Sequence, residues 1–232
     1  MTRIKKLNAT KREIIEVANR LFLEQGFSCT TVKQISDALE ISTGNLTFHY
    51  HTKEDMLAVL VEMLCDFQWH SMEKSLQEGS SELMTLCLEL AAMASICEEN
   101  EIARDFYISA YVHPMTLDII RISDQKKAKK LFADYCQDWD DEKFAEAEIL
   151  VSGIEYTTFM NTSISPALPV RIVGALKAIL SIYHVPMDLQ QECIDKILRM
   201  DYQNIGRHVL QDFKEYVCSA SEEQLKKYLL KP

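Results

Sequence analysis

The sequence predicts an all-α protein, and three observations carry that prediction. Only 6 of its 232 residues are Gly and 5 are Pro, while 47% are hydrophobic, which is too little punctuation for an all-β fold and ample material for a core. Apolar residues recur at helical spacing in one segment after another. Between these segments Ser, Thr, Asp and Asn stand where helix N-caps belong.

Taken in order, Thr10 with Glu13 forms a capping-box pattern ahead of Ile14, Val17, Ala18, Leu21 and Phe22, and Gly26 follows where a left-handed C-terminal residue belongs. A short helix capped by Thr31 with Gln34 turns Val32, Ile35 and Leu39 inward. A tight turn leads to Ser42, the cap of a third helix with Leu46 on its buried side. Thr52 caps a fourth, with Glu54 and Asp55 suited to the dipole of its first turn and Leu57, Leu60, Val61, Leu64 and Phe67 along its apolar face. The Gly-Ser-Ser run at 79–81 stops it. Six or seven further helices follow. Pro114 ends one, a break near Ser123 interrupts the next, and Asp140 caps a long one through Phe159. The loop 161–169 precedes a helix from Pro169 to His184. A last long helix starts at Asp188 with Gln191, and Ser221 with Gln224 caps a short tail. A head over 1–55 would thus be joined rigidly, through the fourth helix, to a bundle over 56–232.

The net charge of -10 is unevenly spread. Residues 1–53 hold eight Lys/Arg and five acids, a surplus of +3, which leaves -13 for the remainder. A basic head on an acidic body suits a protein that presents one end to a polyanion. Seven cysteines at wide spacings, with no C-x-x-C, argue against a disulfide framework or a zinc site, so free thiols on apolar faces are expected. His49 and His51 fall on different helix faces and make a poor metal pair. No P-loop, dinucleotide fingerprint or H-E-x-x-H occurs. No enzyme activity, metal or cofactor is expected. No apolar run is long enough to span a bilayer and the basic N-terminus lacks a signal-like apolar stretch, so the expected address is the cytoplasm, with no membrane partner.

Two short helices joined by a tight turn and braced by a longer one describe a helix-turn-helix, whose second helix enters the major groove of duplex DNA. Ser42, Thr43, Gly44 and Asn45 are small or polar, and Asn45 offers the bidentate amide contact to adenine. Thr47 offers a methyl or a hydroxyl, and Phe48 stands beside it. His49 is placed to reach the DNA backbone. Lys53 and the helix starts behind Thr31, with Lys33, are placed for phosphates.

Residues 14–57 closely resemble the DNA-binding head of the TetR family of bacterial transcriptional regulators. The resemblance is carried by Ala18, Leu21 and Phe22; then Gly26, Phe27, Thr30, Thr31 and Val32; then Ile35, Ser36, Leu39, Ile41, Ser42, Gly44 and Leu46; and finally His49, Tyr50, Thr52, Lys53, Glu54 and Met56. Two positions depart from the family pattern. Glu40 stands where the turn usually has Gly, and Thr47 where a phosphate-contacting Tyr is usual; Tyr50, usually Phe, is assigned to the core. The resemblance implies a homodimer on a palindromic operator and a ligand-binding, dimerising body. Gly153 on one late helix and Val173, Leu176, Ile179 and Leu180 on the next are the candidate dimer residues, with the 189–218 helix as competitor. Trp69, His70, Phe106, Tyr107, Tyr111, His113, Tyr156 and Phe159 are the candidate pocket residues, suited to an apolar or aromatic small-molecule effector. The alternative, left open by Glu40 and Thr47, is a helical regulator that works through a protein partner with a weak head.

Overall fold

In a computed structural model, residues 3–77, 81–220, 225, 227 and 228 are described, with only the backbone for 3–9, 72, 73 and 75–77. Among them run eleven α-helices and no strand: α1 (Arg3–Gln25), α2 (Val32–Ala38), α3 (Thr43–His49), α4 (Lys53–Gln77), α5 (Glu82–Glu99), α6 (Glu101–Val112), α7 (Pro114–Leu131), α8 (Asp141–Phe159), α9 (Leu168–Ile182), α10 (Met187–Arg199) and α11 (Tyr202–Ser219).

The starts of α2 to α4 are fixed by their own side chains. Thr31 Oγ1 accepts from Gln34 N while the Gln34 side chain accepts from Thr31 N at 2.7 Å. Ser42 Oγ accepts from Asn45 N at 3.1 Å. Thr52 and Asp55 bond reciprocally, at 2.8 and 3.1 Å. Three expected boundaries are corrected. Thr10 is no cap, because α1 already runs from Arg3. No break falls at Ser123, where α7 continues to Leu131. The expected last long helix is two, because Asp201 caps a new helix by accepting from Asn204 N at 3.1 Å. The Gly79–Ser80 stop and the Ser221–Gln224 cap lie outside the described residues.

Helix α5 is the axis of the body, packed by α4, α6, α8, α9, α10 and α11. Helix α11 approaches it closely at Gly206, where an added Cβ would lie 2.8 Å from Ala92 O. Helices α4 and α6 bind head to body. Helix α1 packs on both, and α6 supplies Asp105, whose carboxylate accepts from Ser28 N at 2.8 Å and from Ser28 Oγ. Phe27 meets His113 edge-on at 5.4 Å beside that contact. Five of the seven cysteines are buried and all are free thiols. No helix among the described residues is long and apolar enough to cross a membrane.

Candidate DNA-binding head and interior cavity

The head presents one face of α3 to solvent. Leu46 is fully buried and Tyr50 nearly so, and these two anchor the helix against the core. Anchoring from that side turns Ser42, Thr43, Gly44, Asn45, Thr47 and Phe48 outward, all exposed. Phe48 is 68% exposed, an apolar ring on a surface that otherwise displays small polar groups. Thr47 Oγ1 bonds back to Thr43 O at 3.0 Å, so its methyl is the group left free to point away. On α2, Thr31 and Lys33 are exposed too. The Thr31 hydroxyl is occupied with Gln34, and Lys33 pairs with Asp37 at 2.7 Å, an exposed pair that a competing phosphate can open.

The turn between α2 and α3 takes a left-handed backbone without a glycine. Glu40 has φ +54°, a left-handed conformation that costs a non-glycine residue about 1 kcal/mol.

Two expected DNA contacts are corrected. His49 is 9% exposed: it sits on the anchoring side of α3, and burial followed by the nearby Lys11 charge pushes its pKa down, keeping the ring neutral at pH 7. Lys53 points inward. Its ammonium donates to Phe27 O at 2.7 Å and Thr30 O at 2.9 Å and lies 4.0 Å from the Phe27 ring centroid. It closes the α1–α2 turn rather than reaching for phosphate.

In the body, an interior cavity of about 50 Å³ lies among α4 to α9. Leu64, Leu90, Met93, Phe132 and Val151 give it an apolar wall, but its polar lining is charged. Lys127 is held by Asp124 at 3.2 Å, Gln68 Oε1 at 3.3 Å and Glu89 at 3.4 Å. Burial alone would depress this ammonium, but the Glu89 and Asp124 carboxylates hold it above its ordinary range. Across the cavity, Tyr183 OH donates to Glu148 and Tyr111 OH to Glu155 at 2.8 Å. Burial first, then the Asp124 charge, pushes the Glu148 carboxyl up to about 8 and Glu155 well above the usual carboxylate range.

Of the eight expected pocket residues, Tyr107 and Tyr111 line this cavity. The other six do not. Phe159 stands behind them, with its ring 5.9 Å from Tyr107 and 5.8 Å from Tyr111, and Phe106 packs against Tyr107 and Phe213. His113 faces the head through Phe27. Trp69 leans on the core with Lys130 6.0 Å from its ring, and Tyr156 is half-buried away from the cavity. His70 is exposed and bonds Asp66 O at 2.7 Å. The expected dimer stripe is also partly corrected. Leu176, Ile179 and Leu180 are buried and line the cavity, and Val173 is half-buried beside them. Gly153 does face outward.

The residues missed were Gln68, Glu89, Asp124, Lys127, Glu148, Glu155 and Tyr183. A signal for two of them was present. Glu148 and Glu155 are seven apart and share a helix face with Phe144, Val151 and Phe159, so both carboxylates interrupt an apolar stripe.

A three-helix head that exposes the second of two short helices defines a helix-turn-helix protein. Residues 14–60 match the sequence model of "Bacterial regulatory proteins, tetR family", and this head is a tetR-family domain. The HTH-type transcriptional repressor KstR2 of Mycobacterium tuberculosis is 34% identical over 61 residues, which are 26% of this chain and 30% of KstR2. The HTH-type transcriptional regulator HbdR of Aromatoleum sp. (strain CIB) is 27% identical over 101 residues, 44% of this chain and 43% of HbdR. The match therefore spans less than half the length of either relative. Among solved structures, the TetR family protein CprB from Streptomyces coelicolor, in complex with its operator sequence, aligns over 88% of this chain and 98% of its own with 22% identity and a TM-score of 0.44.

Proposed function

We propose that this chain is a DNA-binding transcriptional regulator that reads a palindromic operator as a homodimer and responds to a small molecule held in its body. The observation that carries the reading is the outward face of α3, where Thr43, Gly44, Asn45, Thr47 and Phe48 stand free on a helix anchored from behind by Leu46 and Tyr50. Such a helix fits the major groove, and two of them about 34–36 Å apart fit successive turns. The reading assigns the chain no catalysis.

A second copy is accommodated by α8 and α9. Ile149, Leu150 and Gly153 on α8 are exposed, as are Val170 and Gly174 on α9. An added Cβ at Gly153 or Gly174 meets nothing within 4 Å, so packing inside one chain does not require glycine at either position. Small residues between exposed Ile, Leu and Val allow two helix pairs to approach closely and bury apolar surface. Gly153→Arg is expected to weaken the dimer on the order of a hundredfold or more, read by sedimentation equilibrium. An unchanged dimer would place the interface elsewhere.

The ligand response follows from position. Helices α4 and α6 line the cavity and also hold the head, so a ligand that favours one arrangement of them alters the separation of the two α3 helices. Selection of random duplexes by the purified protein tests the whole reading. A palindrome is the expected product. Asn45→Ala should relax preference at one base pair per half-site, a loss of about 1–3 kcal/mol of discrimination, and Phe48→Ala should weaken binding. No enrichment at low salt from an intact dimer would refute unaided DNA reading.

A further inference from the structure

We infer that the interior cavity takes a cation, an amine or ammonium head group carried on an apolar chain, with Glu148 and Glu155 opposite the charge. The inference rests on the ligand-responsive reading above and gives the ligand its chemical class.

The first argument is charge. Four carboxyl groups and one ammonium line the cavity. Lys127 is already met by Asp124 and Glu89, which leaves Glu148 and Glu155 without a cation of their own. Arg121 on α7 donates its Nε to Ser152 Oγ at 2.9 Å, and its charge, like that of Lys127, only partly offsets the burial of Glu148. The partners of Glu148 and Glu155 are phenol hydroxyls, which a ligand N–H can join or replace. An anionic ligand would enter among surplus carboxyl groups. A cation finds them beside the rings of Tyr107, Tyr111, Phe132 and Tyr183.

The second argument is an unpartnered group. Tyr107 is 3% exposed, lines the cavity, and its hydroxyl makes no hydrogen bond among the described residues. That hydroxyl is free to accept a bond from a ligand N–H or ammonium.

The third argument is shape. A further space of about 160 Å³ lies against α11, lined by Phe67, Leu88, Val209 and Phe213. Leu64, Gln68, Glu89, Met93 and Tyr107 line both spaces and so separate them. Gln68 Nε2 and Met93 Sδ touch across that wall at 3.4 Å, and both are unbranched side chains that can swing aside. The merged slot has a charged inner end and an apolar outer one. It fits a molecule with a cationic head and an aliphatic tail.

The proton traffic follows. Glu148 and Glu155 face Asp124, Lys127 and Arg121 of α7, Tyr111 of α6, Glu89 of α5 and Tyr183 after α9. With its carboxyl pushed up to about 8, Glu148 holds its proton at neutral pH in the free protein, and burial pushes Glu155 in the same direction. When R–NH3+ enters, the facing carboxyl loses its O–H proton to solvent and becomes the counter-ion. No bond to the ligand forms, and one charge enters as one proton leaves.

Calorimetry on the full chain with n-octylamine, 1-octanol and octanoate tests this. Octylammonium should bind at least about tenfold more tightly than the neutral or the anionic analogue. Its binding should release protons, read as a dependence of the heat on buffer ionisation. Glu155→Gln and Glu148→Gln, each checked for native helicity, should weaken it by about tenfold or more. Octanol or octanoate binding equally well, or both Gln variants binding octylammonium unchanged, would overturn the inference. Operator affinity on the same samples separates the two readings. Octylammonium binding that leaves DNA affinity unchanged supports the cation site and removes the switch. Operator binding with no octylammonium binding removes the cation site and leaves the regulator.

Discussion

Gly26→Ala is expected to destabilise the protein by about 2–4 kcal/mol, for two separable reasons. Gly26 ends α1 with φ +92°, where a Cβ is strained whatever surrounds it. An added Cβ would also lie 2.8 Å from Asp105 Oδ2, the oxygen that accepts from Ser28 N. A carboxylate is the movable end of a side chain, but this one is held by both Ser28 donors, so moving it gives up charge-assisted bonds. The backbone part is about 1–2 kcal/mol and the rest is the lost contact. In thermal unfolding the midpoint should fall by roughly 5–15 °C. Made on an Asp105→Ala background, Gly26→Ala should cost only the backbone part, because the carboxylate is already gone. Equal losses in both backgrounds would mean that Asp105 does not tie the body to the head. Should the tie hold, the same cycle measured on operator affinity reports how strongly α6 positions the head.

The tie explains what was legible in the sequence and what was not. The head was legible because its determinants are local. Thr31 with Gln34, Ser42 with Asn45 and Thr52 with Asp55 each close within three residues, and the buried positions Ile35 and Leu46 follow helical spacing. Lys53 was misread because its partners, Phe27 O and Thr30 O, lie 26 and 23 residues away, and nothing in a local pattern distinguishes an inward lysine from an outward one. The cavity was misread for the same reason on a larger scale. Its charged groups come from α5, α7 and α8, and singly each resembles a solvated surface charge. Bulky aromatics were the more conspicuous choice, yet Phe106 and Phe159 serve as packing, while His70 sits in solvent. On α9 the strongest apolar stripe, Leu176, Ile179 and Leu180, turned inward because it has a cavity wall to form. The weaker stripe of Val170 and Gly174 was left for the surface.

Stability should fall as pH rises from about 5 to 8, and Glu148→Gln should remove part of that fall. In the folded chain the Glu148 carboxyl is pushed up to about 8 by burial and by Asp124, against an ordinary value of 4.5. Between those values the folded state keeps a proton that the unfolded state has released. Unfolding therefore releases protons, and stability declines with pH across this window. The contribution is fully present below about pH 4.5 and is lost as pH passes 8. One such group changes stability by at most about 1.4 kcal/mol per pH unit, so the span from pH 5 to 8 is worth no more than about 4 kcal/mol. Glu155 acts in the same direction, and the net charge of -10 adds self-repulsion as acids ionise. His49 acts oppositely: its lowered pKa means that the unfolded chain takes up a proton as pH falls through the ordinary histidine range, and stability falls with it. His49 is common to both proteins, so the difference between wild type and Glu148→Gln reports Glu148 together with its charge coupling to Glu155. Urea unfolding at several pH values should show the variant gaining on the wild type as pH rises, and exceeding it above about pH 8. Parallel curves would mean that Glu148 is ionised in the folded chain at neutral pH. The Tyr183 hydroxyl would then be donating to a carboxylate, and the cavity would carry its negative charge before any ligand arrives.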